Sequence, residues 1–174
     1  MLARSPLRLQ LPDPGTTQRL ATAFATLFEP GDTLLLEGSV GSGKTAFCRA
    51  FIQARLASAG RMEDVPSPTF TLVQTYDDGL CDIWHADLYR LLDPNEALEL
   101  GLEEAFDDAI CLVEWPDRLG DALPRGALHA HLEQGAEDDS RILTLRWDDA
   151  KWQKLASATA GLCQTGQIAQ VGDD

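Results

Sequence analysis

Apolar side chains recur along this 174-residue chain with two periods, and the shifts between them mark its elements. From Gly15 to Phe28, Leu20, Ala23, Phe24 and Leu27 fall at helical spacing, which predicts a leading amphipathic helix. Thr33 to Glu37 is a short apolar run suited to a buried strand. Ala46 to Ala57 returns to helical spacing through Phe47, Ala50, Phe51 and Leu56. A polar link over 57–64 follows. Thr69 to Tyr76 alternates and is rich in β-formers, Asp77-Asp78-Gly79 reads as a turn, and Cys81 to Ala86 as a second strand. That spacing predicts an antiparallel hairpin. Pro94 to Leu100 predicts a short helix, with Asp93 as its cap and Pro94 at its first position. Ala109 to Val113 is a wholly apolar strand, Ala127 to Leu132 and Arg141 to Trp147 are two more, and Lys151 to Leu162 is a helix. The last ten residues are expected to fray. Strands interleaved with helices predict an α/β domain whose central sheet is mixed and mostly parallel, with the hairpin as its antiparallel part.

Between the strand at 33–37 and the helix at 46–57 stand Gly38, Ser39, Val40, Gly41, Ser42, Gly43, Lys44 and Thr45. They fit G-x-x-x-x-G-K-[ST], the phosphate-cradling P-loop, in the strand–loop–helix context that it requires. Glycines at 38, 41 and 43 let the backbone take conformations closed to a Cβ, so successive N–H groups can converge on one phosphate. The helix that follows adds unpaired N–H groups and the positive end of its dipole. Lys44 is then the group that reaches the β- and γ-phosphates, and the Thr45 hydroxyl holds Mg²⁺. The expected fold is a P-loop NTPase-like, three-layer α/β domain that binds a nucleoside triphosphate with Mg²⁺.

Composition narrows this only slightly. Apolar content of 44% and charged content of 24% are ordinary for a single globular domain over 1–174, with its core at about 11–160 and a short flexible C-terminal tail. The stretch Met1 to Leu11 carries Arg4 and Arg8 without the apolar run of a signal peptide, and no segment approaches a membrane span. Cys48, Cys81, Cys111 and Cys163 are scattered, with no C-x-x-C pair, so neither a zinc site nor a disulfide framework is indicated. A reduced cytoplasm fits that pattern. The net charge of −14, with 14 Lys and Arg dispersed among 28 Asp and Glu, argues against independent nucleic-acid binding. The acidity suits a basic protein partner, and equally a surface that merely keeps the chain soluble.

Three further segments are candidate working parts. Ile110-Cys111-Leu112-Val113-Glu114 is four apolar residues and then an acid at a strand end, a Walker-B-like pattern whose carboxylate holds Mg²⁺ or its water shell. Trp115 beside it suits stacking on a base or partner as well as core packing. His85-Ala86-Asp87-Leu88-Tyr89-Arg90 closes another strand. Asp87 there can position an attacking water or bind the metal's outer shell, and Arg90 can pair with an acid or a phosphate. A lone His-x-Asp makes no metal site, so His85 reads as structural. Ser67-Pro68-Thr69-Phe70-Thr71 is a hydroxyl-rich loop, either a sensor of the γ-phosphate or an ordinary strand entry stiffened by proline.

Taken in order, the P-loop, Ser67-Pro68-Thr69-Phe70-Thr71-Leu72-Val73, His85-Ala86-Asp87-Leu88-Tyr89-Arg90-Leu91 and Leu112-Val113-Glu114-Trp115 resemble the TsaE family over about Leu11 to Leu145. These are bacterial P-loop ATPases that support formation of threonylcarbamoyladenosine at position 37 of certain tRNAs. The resemblance implies an ATPase that binds ATP and Mg²⁺ and works alongside TsaD and TsaB. With no basic cluster in the chain, contact with tRNA is expected only through that complex, and with no arginine evident as a finger in cis, hydrolysis is expected to be slow alone. By matching positions it places Gly41 to Thr45 on the phosphates, Thr45 and Glu114 on Mg²⁺, Lys44, Asp87 and Glu114 in catalysis, and Trp115 at the nucleotide. Thr69 would lie in the mobile region near the γ-phosphate, and Arg141 is a further candidate contact. Ala46 departs from the second hydroxyl residue common there. Two rival readings share the P-loop. A small-molecule kinase would add a lid with clamping arginines, which is not evident, and a GTPase could use Asp117-Arg118-Leu119-Gly120 but lacks an N-K-x-D. A nucleotide-latched assembly protein, whose surface ATP stabilises, lies close to the family reading.

Overall fold

The computed structural model describes residues 6–172; the start of the chain, with Arg4, and the last two residues lie outside the described residues. Among the described residues, eight strands form one sheet: β1 (Leu7–Leu11), β2 (Thr33–Glu37), β3 (Val73–Asp77), β4 (Asp82–Asp87), β5 (Ile110–Glu114), β6 (Leu128–Gln134), β7 (Arg141–Arg146) and β8 (Ala169–Gln170). Among the described residues, five α-helices accompany them: α1 (Pro14–Ala25), α2 (Lys44–Ser58), α3 (Pro94–Glu99), α4 (Leu102–Asp108) and α5 (Gln153–Gln164). The strand order is β3-β4-β5-β2-β6-β7-β1-β8. Local chemistry starts the helices where the sequence signals them. Asp13 accepts the Thr16 N–H at 2.7 Å to cap α1, and Asp93 accepts the Asn95 N–H at 2.9 Å to cap α3.

Strand alternation sorts the core into two layers. Leu34 and Leu36 of β2, with Ile110 and Leu112 of β5, bury beneath α1, α2 and α5. Leu35, Cys111 and Val113 turn the other way, beneath α3 and α4. Both faces of these strands are therefore apolar, as strands covered on both sides must be. The result is the mixed, three-layer α/β architecture that the pattern predicts, with β4, β5, β2 and β6 parallel at its centre. Antiparallel pairing extends beyond the single hairpin, however. Besides β3–β4, the ladders β6–β7, β1–β7 and β1–β8 are antiparallel, and they outnumber the parallel ladders by four to three.

The ordered core also runs past residues 11–160. Leu7 and Leu9 of β1 and Ile168 beside β8 are buried, so the segment expected to fray closes the sheet edge instead. Each such side chain contributes roughly 1.5–3 kcal/mol of transfer free energy. A second difference concerns the strand expected over Thr69–Tyr76, which begins only at Val73. Leu72 adopts φ 66° and donates its N–H to the Pro68 carbonyl at 2.7 Å, so residues 69–72 form a turn. Among the described residues, no helix is long and apolar enough to cross a membrane.

Candidate functional site

The C-terminal ends of the parallel strands meet the N-terminus of α2, and strand periodicity decides which side chains face it. Glu114 follows Leu112 on one face of β5; His85 and Asp87 follow Ile83 on the same face of β4. The parallel register sets Asp87 beside Glu114 and His85 beside Leu112. All three ionisable side chains are buried under α2, together with Lys44.

The loop between β2 and α2 can be built only with glycine at its first position. Gly38 has φ +143°, and a Cβ there would sit 2.4 Å from the Leu132 carbonyl oxygen and 2.6 Å from Ser42 Oγ. Gly43, at φ 104°, is the N-cap of α2, and no side chain caps the helix. The leading N–H groups of α2 therefore have no side-chain acceptor at the mouth of the loop. The ammonium of Lys44 folds back onto the loop and donates to the carbonyls of Gly38 and Ser39, both at 2.8 Å. It lies 4.4 Å from the centre of the Trp115 ring, which in turn packs on Tyr89 at 4.8 Å. Trp115 is held there by a left-handed backbone, φ 59°, rare for a bulky residue. Burial pushes the Lys44 ammonium below its usual range, against the pull of Glu114 and Asp87.

Glu114 has a partner for each oxygen. The Thr45 hydroxyl donates to Oε1 at 2.7 Å, and His85 Nε2 lies 2.7 Å from Oε2. Asp87 accepts the Tyr89 N–H at 3.1 Å and, more loosely, the Thr69 hydroxyl at 3.4 Å; Thr69 is itself 2.5 Å from Ser67 Oγ. Val40, Lys44, Thr45, Asp87, Glu114 and Trp115 line a cavity of about 410 Å³ on this side of the loop. On the other side, Gln18, Ser42, Arg49, Gln53 and Arg141 line one of about 340 Å³. Arg141 braces the loop between them, donating from Nε to the Ser42 carbonyl at 3.0 Å and from Nη2 to the Gly41 carbonyl at 3.4 Å.

The structure thus brings together Lys44, Thr45, Asp87, Glu114 and Trp115, with Thr69 at the margin, while Val40 and Ser39 form the exposed crest of the loop. Arg90 is drawn elsewhere, stacking 4.4 Å from the Phe70 ring. Asp117 lies in a 3₁₀ segment over Pro116–Ala122 that is broken at Gly120, whose φ is 55° and ψ −125°, so their D-x-x-G spacing builds a kinked turn. His85 is the residue whose place the sequence leaves out of the site. Its contact with Glu114 depends on the β4–β5 pairing, and the sole local signal is a histidine two residues before the acid of a strand end.

Chemically, one side offers an ammonium and a helix N-terminus to a polyanion. The other offers a hydroxyl and two carboxylates, the oxygen donors that suit a hard divalent cation. The family model described as "Threonylcarbamoyl adenosine biosynthesis protein TsaE" matches residues 11–143. The tRNA threonylcarbamoyladenosine biosynthesis protein TsaE of Rickettsia bellii is 40% identical over 129 residues, which cover 74% of this chain and 87% of the relative. The protein of the same description from Bacillus subtilis is 36% identical over 137 residues, covering 78% and 83%. The crystal structure of Bacillus subtilis YdiB superposes with a TM-score of 0.73 at 28% identity, over 94% of this chain and 98% of that one.

Proposed function

The chain belongs to the TsaE family, and on that premise we propose that it binds and hydrolyses ATP in support of threonylcarbamoyladenosine formation in tRNA, working with TsaB and TsaD. The observation that carries the nucleotide reading is the Thr45–Glu114 contact at 2.7 Å, one residue beyond the buried Lys44. It joins the P-loop hydroxyl to the strand-end acid across 69 residues of sequence. Thr45 and Glu114 are the residues that would hold Mg²⁺, and they fit it, being hard oxygen donors side by side. When bound, the ion would neutralise charge on the β- and γ-phosphates.

The remaining work falls to the chain's own groups. Lys44 exchanges the Gly38 and Ser39 carbonyls for phosphate oxygens, a stronger, charge-assisted pairing. The N–H groups at the start of α2 hold the phosphates in place. Asp87, beside Glu114 and able to accept a proton, orients the attacking water. The Arg141 cavity accommodates the nucleoside end, with Arg141 keeping the loop rigid from behind. Among the described residues, no arginine lines the cavity on the Glu114 side. That supports slow hydrolysis by the chain alone and a charge supplied by a partner. A kinase would need arginines that clamp the transferring phosphate, and Arg90 is stacked on Phe70 instead.

The experiment is steady-state ATP hydrolysis by the chain alone and with TsaB and TsaD, using Lys44→Ala as the blank. A low rate that rises only when both partners are present supports the proposal. A rate indifferent to them removes the partnership, and a Lys44→Ala rate equal to wild type removes the site.

A further inference from the structure

We propose that His85 is a positioning residue for Glu114: its Nε2–H holds one carboxylate oxygen so that the other is presented to Thr45 and to a divalent cation. The proposal rests on the reading of Glu114 as a metal-holding carboxylate. His85 is fully buried and Glu114 nearly so, at 0% and 2% side-chain exposure, and the Nε2 to Oε2 distance is 2.7 Å. The opposite oxygen, Oε1, accepts the Thr45 hydroxyl at the same distance. A glutamate has three side-chain torsions, and the last is broad and soft, so its carboxylate plane is poorly fixed by rotamer preference alone. Two donors on opposite oxygens fix that plane.

The hydrogen-bond chemistry assigns the imidazole nitrogens. An ionised carboxylate only accepts, so the proton of the short contact sits on Nε2. His85 Nδ1 has no hydrogen-bond partner among the described residues. The third neighbour is Cys48, whose Sγ lies within 4.8 Å of a ring nitrogen of His85 and a carboxylate oxygen of Glu114. Burial pushes this thiol well above its usual range, so it packs as a small neutral group beside the pair.

Packing alone does not call for an imidazole here. Ile83, two residues earlier on the same face of β4, is apolar and fully buried. An aliphatic side chain at 85 would fill the layer without burying a polar ring. The chain's other histidines, His129 and His131, pair with Glu37 at the surface, about two-fifths exposed. Of the three, His85 alone is buried together with its carboxylate partner. Partners of this kind, standing behind a metal-binding side chain, typically change metal affinity or activity by about 10–100-fold when removed.

The test compares His85→Leu, His85→Gln and His85→Asn in the full chain. It measures the Mg²⁺ concentration that half-saturates ATP hydrolysis, ATP binding in EDTA, and the melting temperature. His85→Leu should raise the Mg²⁺ half-saturation by about 10–100-fold while metal-free ATP binding stays unchanged. Gln, whose amide N–H can take the place of Nε2–H, should recover most of the loss, and the shorter Asn should recover less. That ordering of Gln above Asn decides the matter even if His85→Leu does not fold. A lowered melting temperature with unchanged Mg²⁺ dependence, or equal impairment in all three, overturns the proposal. Glu114→Gln separates the two levels. If it leaves the Mg²⁺ dependence as in wild type, the metal reading of Glu114 fails. If it shifts that dependence and His85→Leu does not, the positioning role alone fails.

Discussion

At its C-terminal end α2 presents Arg55 to Asp78 of the hairpin turn; at its N-terminal end it presents Lys44 and Thr45 to Glu114. Both are buried polar clusters, but their partners differ in kind. Arg55 donates to Asp78 Oδ2 at 2.7 Å and to the carbonyls of Ala25 and Phe28 at 2.9 and 3.1 Å. Asp78 Oδ1 accepts the N–H groups of Leu80 and Cys81, both at 2.9 Å. That cation meets its anion, and the protein itself satisfies the pair. Lys44 instead spends its donors on main-chain carbonyls, while Glu114 and Asp87 lie nearby bonded to hydroxyls, an imidazole and one N–H. Opposite charges kept close yet unpaired form a site arranged for something brought from outside. Opposite charges joined form a brace that pins α1, α2 and the β3–β4 turn.

The largest effect should come from breaking the brace. Arg55→Ala leaves Asp78 buried without its counter-charge, a change that costs about 3–5 kcal/mol in such pairs. Chemical denaturation should show that loss, while ATP affinity of the folded protein is unaltered. A variant as stable as wild type would mean that the pair is not structural. Next is Lys44→Ala, which should leave the midpoint of unfolding almost unmoved and lower ATP turnover by about 10²–10³-fold, the range for losing a donor to developing charge. Gly38→Ala should reach a similar loss by another route, since its Cβ would push Leu132 and Ser42 away and distort the loop. Unaltered ATP affinity in that variant would contradict the steric argument.

The smallest effect lies in pH dependence. Burial works against the Asp78 carboxylate, yet the N–H groups of Cys81 and Leu80 and the Arg55 guanidinium together hold it below the ordinary carboxylate range. A lowered folded-state value stabilises the protein above the unfolded value of about 4 and is lost as pH falls through the folded one. Denaturation midpoints should therefore decline below about pH 4 in wild type. The decline should be shallower in Asp78→Asn, which has no such charge to lose. Parallel declines would contradict this origin.

The two ends of α2 also differ in how far the sequence discloses them. The P-loop and the strand-end acid are local patterns with a chemical reason for each residue, and Lys44 opens α2 while Glu114 ends β5. The brace joins residues 23 apart, through a segment, Asp77-Asp78-Gly79, whose residues signal a turn and no more. The His85–Glu114 contact depends on β4 pairing with β5, which no local pattern states. Other elements do carry a local signal. Leu7-Arg8-Leu9-Gln10-Leu11 alternates strictly and forms β1, and Leu102, Ala105 and Phe106 fall at helical spacing in α4. Two-residue β8 carried none, since it exists through its pairing with β1. Leu72 breaks the alternating run by adopting a left-handed backbone that its residue type disfavours, so the strand boundary there lay outside propensity altogether.

The central claim is that the N-terminal end of α2 is a nucleotide site and its C-terminal end a scaffold. Calorimetric titration of ATP, with and without Mg²⁺, into wild type, Lys44→Ala and Arg55→Ala tests it most directly. The account predicts Mg²⁺-enhanced binding by wild type and by folded Arg55→Ala, and loss of binding in Lys44→Ala. Equal binding by Lys44→Ala and wild type would contradict it.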